Sequence, residues 1–212
     1  MSVPQLRAII KEAIELEDTA GYMRKMVMAR LNLLHHCVRL PSEDPVTKIV
    51  NFVKSYIAAL PDCIAEVRAV SSQAGVYNFV EPFLTVAEAF IVSPPSFTQG
   101  RHSLDTLISG AYVTHRLIEE VNDIFMSRTQ FPLIPLDMTM SNLLVHELIG
   151  EPHSNDLDQT AEELVRQITE KTEVFQSEAF QQFVASSRED TPKHWDSLTM
   201  ELNLDLFEKV RA

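Results

Sequence analysis

The chain of 212 residues reads as an all-α protein, on three observations. Its apolar residues recur at spacings of three and four over long stretches, the period of an amphipathic helix. Its five glycines (Gly21, Gly75, Gly100, Gly110, Gly150) stand apart from one another, whereas turn-rich β architectures need them clustered. Prolines such as Pro4, Pro45 and Pro192 fall where first helical turns are expected, the position in which a missing N–H costs nothing. The length suits one domain, and we expect a mostly antiparallel bundle of six to eight helices with a long N-terminal helix.

Ser2 and Pro4 mark a helix start, and the apolar period then continues through Ile9, Ala13, Leu16, Ala20, Met23, Val27, Leu31, Leu34 and Val38. That spacing predicts one helix of about 35 residues ending before Pro41, with Gly21 as a weak point in its middle. A helix this long needs another long helix to cover it, its own or that of a second copy. Asp44-Pro45 starts the next helix, whose stripe is Val46, Ile49, Val50, Val53, Ile57 and Leu60. Pro61 breaks or restarts it, and Ile64, Val67 and Val70 carry the pattern to about Ser72. Residues 76–92 are strongly apolar, and their length favours a buried helix over a strand. Residues 93–100, with Pro94 and Pro95, form a loop between these N-terminal helices and a central helix pair.

The first helix of that pair runs from Ser103 to Arg128. Leu104, Leu107, Ile108, Ala111, Ile118, Val121 and Phe125 make its apolar stripe; His115 lies within the stripe and Glu119 one turn on. The small residues Ser109, Gly110 and Ala111 let a neighbouring helix approach closely. The connector 129–137 contains Phe131-Pro132-Leu133-Ile134-Pro135-Leu136, too apolar for a free loop; it either packs across the bundle or forms a docking surface. The partner helix carries His146 and Glu147 and ends at Gly150 and Pro152. Caps among residues 154–158 precede an acidic amphipathic helix through Leu157, Ala161, Leu164, Val165 and Ile168, extending toward Phe180 and Phe183. Pro192 then leads a closing helix with Trp195, Leu198 and Leu202.

The formal charge of -12 is concentrated in the last 62 residues, which hold 6 basic and 14 acidic side chains. An acidic surface repels phosphate backbones and anionic lipids, so neither nucleic acid nor a membrane is expected as a partner. No run approaches eighteen uncharged apolar residues. The two cysteines, Cys37 and Cys63, make no disulfide framework. The N-terminus does not resemble a leader peptide, and a cytoplasmic location is expected.

Few motifs point to chemistry. His115 and Glu119, four apart, share a helix face and can place a nitrogen and a carboxylate oxygen on one metal; His146 can add a third ligand. His146-Glu147-Leu148-Ile149-Gly150 begins like the HExxH of zinc proteases, but Gly150 stands where the second histidine belongs. His35 and His36 diverge by about 100° on the long helix, and His102, His153 and His194 fall at helix ends or loops. The Glu-x-x-His pairs of di-iron bundles, Gly-x-Ser-x-Gly, Cys-x-x-Cys and P-loop patterns are absent from the chain. Two function classes follow. The favoured one is a non-enzymatic helical protein that binds a partner protein or a small apolar ligand in a pocket lined by Phe79, Phe83, Ile108, Tyr112, His115 and Leu144; it needs no cofactor. The alternative is an enzyme using one divalent transition metal, Zn or Fe, on His115, Glu119 and His146. The long helix and the apolar connector make a homodimer a further expectation.

Overall fold

The computed structural model describes residues 2–34, 43–92, 102–130, 132–169, 175–187 and 196–197. The chain is an all-α bundle. Helix α1 (Val3–Ala20) opens with a capping box in which Ser2 and Gln5 satisfy each other's backbone amides. The expected single long helix is divided at Gly21, which adopts a left-handed φ of 62°. There α1 ends and α2 (Tyr22–Arg30) begins. Buried Glu17 bridges the break: its carboxylate accepts from the N–H groups of Met23 and Arg24, at 2.8 and 2.9 Å, capping the new helix. A short 3₁₀ turn, Leu31–Leu33, follows. The rest of the expected first helix, with His35, His36, Cys37 and Val38, lies outside the described residues.

Helix α3 (Pro45–Ala58) is capped by the Asp44 side chain on the Thr47 amide at 3.2 Å. Pro61 sits in the first turn of α4 (Leu60–Gln73), so α3 and α4 are separate helices hinged at Ala59. Residues Tyr77–Val92 form the helix α5 despite Pro82 inside it. Phe79, Val80, Phe83, Leu84, Ala87 and Ile91 are all buried, and this tertiary burial outweighs the one hydrogen bond the proline removes. The expected loop, residues 93–100, lies outside the described residues.

Helix α6 (Leu104–Thr129) is the axis of the molecule and packs against α1, α2, α3, α4 and α5. Every member of its expected apolar stripe is buried. The approach of α5 is backbone-close at Gly110, where a Cβ would lie 2.9 Å from the Phe90 carbonyl oxygen. Leu133 and Ile134 of the connector are buried, as is Met138 just after it, so the connector packs across the bundle. Asn122 stitches it down, donating to the Ile134 carbonyl at 3.0 Å and accepting from the Ile134 amide at 3.1 Å. Phe131 lies outside the described residues.

Helix α7 (Thr139–Ile149) ends at Gly150, and α8 (His153–Thr169) starts ahead of the expected caps. Both lie against α6. Helix α9 (Glu178–Ser187) is separate from α8, and Phe175 and Phe180 pack on Phe125 of α6. Asp196–Ser197 pairs in parallel with Leu136–Asp137, where a closing helix was expected; His194, Trp195, Leu198 and Leu202 lie outside the described residues. Among the described residues no helix is long and apolar enough to cross a membrane.

Candidate functional site

His115 is fully buried. Its Nε2 lies 3.0 Å from the backbone carbonyl of Tyr56. A carbonyl only accepts, so Nε2 holds the proton and Nδ1 presents a bare lone pair, which is buried without a partner. The Tyr56 carbonyl is one of the last four of α3, which have no acceptor role inside their own helix, and His115 caps it. The two rings pack at 4.3 Å between centroids. Burial pushes the His115 pKa from 6.5 down to about 4, so the imidazole is neutral at neutral pH.

One turn further along α6 the chemistry opens to solvent. A cleft of about 350 Å³ lies between α6, α7 and α8, lined by Tyr112, Arg116, Glu119, Asn142, His146, Asp158 and their neighbours. The Arg116 guanidinium is the hub of the ion pairs along it. It donates to Glu119 Oε2 at 2.5 Å and to Glu120 Oε1 at 2.8 Å, and its Nε is 3.5 Å from Asp158 Oδ1. The i+3 and i+4 spacing on α6 brings the two glutamates to the arginine. Glu119 is further held by Asn142 Nδ2 at 2.8 Å and by the Thr139 hydroxyl at 3.0 Å, both from α7.

Asp158 is the corresponding centre on α8. Its Oδ1 accepts from the Tyr112 hydroxyl at 2.6 Å, and its Oδ2 lies 3.2 Å from His146 Nε2. The same nitrogen is 3.3 Å from Asn155 Oδ1. Burial, and then the hydrogen bond donated to Asp158, push the Tyr112 phenol far above its usual range. Carboxylates outnumber the one guanidinium, and burial together with this crowding pushes the Glu120 and Asp123 carboxyls up. The lining of the cleft itself is acidic, with Glu119, Asp158 and Glu162 against the one guanidinium of Arg116.

The structure brings Glu119, His146 and Tyr112 into this one cleft. It leaves His115 beneath, facing α3, so the three expected metal ligands do not converge. Among the described residues no group of three His, Cys, Asp or Glu side chains is placed to hold a metal. Phe79, Phe83, Ile108 and Leu144 are closed in the core. The void beside Phe83, at about 10 Å³, holds at most one water. Ser109 and His153 meet at 3.3 Å farther along the α6–α8 seam.

Arg116, Asp158, Asn142 and Tyr56 were not singled out by sequence reasoning. Arg116 and its two glutamates carry a local signal, the i+3 and i+4 spacing of opposite charges. Asp158 and Asn142 carry none, because their partners come from other helices. No family model, curated protein or solved structure matches the chain.

Proposed function

We propose that the protein is a non-enzymatic binding protein that holds a small polar ligand with a positively charged group in the α6–α7–α8 cleft. The observation that supports this reading is the state of Arg116: its guanidinium is already engaged by Glu119, Glu120 and Asp158. An anion would have to break those pairs, whereas a cation relieves the repulsion among the surplus carboxylates, to which Glu162 of the lining adds another. The volume is within the range of small-molecule sites. The apolar ligand expected from the sequence has no comparable room beside Phe83. The acids and bases of the cleft are tied to one another, an arrangement that holds a ligand in place without preparing a nucleophile.

Putrescine, succinate and 1,4-butanediol have four-carbon chains with two positive, two negative or no charges. Titrated against the protein at low salt and followed by NMR, putrescine is expected to shift amides of α6, α7 and α8, and the other two are not. Leu143, at the cleft and 44% exposed, accepts a bulkier side chain without disturbing the core, and Leu143→Trp is expected to abolish the shifts. Binding of succinate in preference to putrescine, or shifts confined to other surfaces, overturns the proposal.

A further inference from the structure

A buried polar chain leads from the interior to the cleft. Tyr56, on α3 and fully buried, donates its hydroxyl to Asn142 Oδ1 at 2.6 Å, across 86 positions of sequence. Asn142, itself 3% exposed, passes its Nδ2 to Glu119 Oε2 at 2.8 Å. Glu119 then takes Arg116 at 2.5 Å, and Arg116 reaches Asp158.

The donors and acceptors permit only one direction along this chain. Glu119 accepts from Arg116 and Thr139, so the asparagine must turn its N–H toward it; the flipped amide would set a carbonyl oxygen against a carboxylate. That leaves Oδ1 facing inward, where it requires a donor. Burial keeps the Tyr56 phenol protonated, and so a donor. The ring is fixed in turn by Phe52 at 5.8 Å and His115 at 4.3 Å. His115 also holds the Tyr56 carbonyl, so the same residue is pinned by ring and backbone. A phenylalanine and a leucine would fill positions 56 and 142 without burying any polar group. What the polar pair adds is an orientation for Glu119.

We infer that Tyr56 is a positioning residue of the cleft, acting through Asn142 to set Glu119 and hence Arg116. For ligand affinity the inference rests on the binding reading above; for the side-chain orientation it stands alone.

The test uses Tyr56→Phe, which deletes one oxygen and keeps the ring, and Asn142→Leu, which severs the chain at its middle link. In Tyr56→Phe the side-chain NH₂ resonances of Asn142 are expected to shift and exchange faster with solvent. Putrescine affinity is expected to fall about tenfold. The double variant is expected to bind no more weakly than Asn142→Leu alone, since both changes break one path. Unaltered Asn142 resonances in Tyr56→Phe, or losses that add in the double variant, reduce Tyr56 to a packing residue and overturn the inference. Should Tyr56→Phe not fold, unchanged putrescine affinity in Asn142→Leu overturns it equally. If the unsubstituted protein binds no putrescine, the cleft reading fails by itself, and the Asn142 resonances alone decide the role of Tyr56.

Discussion

His115 sits in an environment far from that of a free imidazole, fully buried beside the Tyr56 carbonyl. Its folded-state pKa of about 4 lies below the 6.5 of the free side chain. Between those values the unfolded chain binds a proton that the folded protein refuses, so unfolding is favoured as pH falls through that window. The contribution is complete above about pH 6.5 and lost by about pH 4, on the order of 3 kcal/mol. Urea unfolding at several pH values across this window is expected to show a stability slope that His115→Gln flattens, and an equal slope in both proteins sinks this account. The placement of His115 within an apolar stripe was legible in the sequence. Its use was not: the Tyr56 carbonyl that it caps comes from α3, 59 positions away. The metal reading drew on the same kind of signal: i, i+4 spacing aligns His115 with Glu119 along α6 but does not tell which neighbour each side chain meets.

At the scale of elements, glycines decide where helices break and how closely they approach. Gly110 has a helical backbone and could in principle be improved by alanine, which gains about 1 kcal/mol of helix propensity. Here the added methyl would meet the Phe90 backbone at 2.9 Å and force α5 away from α6. Gly110→Ala is therefore expected to destabilise by about 1–3 kcal/mol, measured by thermal or urea unfolding; a gain in stability would show that α5 gives way freely. The small-residue run on α6 foretold this approach. At Gly21 the same residue type does the opposite job, adopting a left-handed turn that divides what periodicity alone reads as one helix. The apolar spacing continues across the break because Met23 and Val27 of α2 face the same core as Ile10 and Ala13 of α1. Periodicity reports which face is buried, and cannot report a change of axis between two helices that bury the same face.

Taken whole, the molecule is organised on α6, which is enclosed by the N-terminal helices on one side and by α7 and α8 on the other. An element with so many packing partners opens only when they separate. Amides of residues 111–121 are expected to be the slowest in native-state hydrogen exchange, with a free energy matching global unfolding; faster exchange there than in α3 would remove α6 from the centre. The burial of the α6 apolar stripe between Leu104 and Phe125 was readable in advance. So were the helical class, most helix starts and the acidic charge, because these depend on local spacing, capping and counting. The cleft was settled by tertiary structure alone. Arg116 and Glu119 come from α6, Asn142 and His146 from α7, Asp158 from α8, and the tyrosine behind them from α3. Hydrogen bonds and ion pairs act over about 3 Å, while these partners stand up to 86 positions apart along the chain. Only the packing of helices brings them within reach, and a linear pattern has no means of recording it.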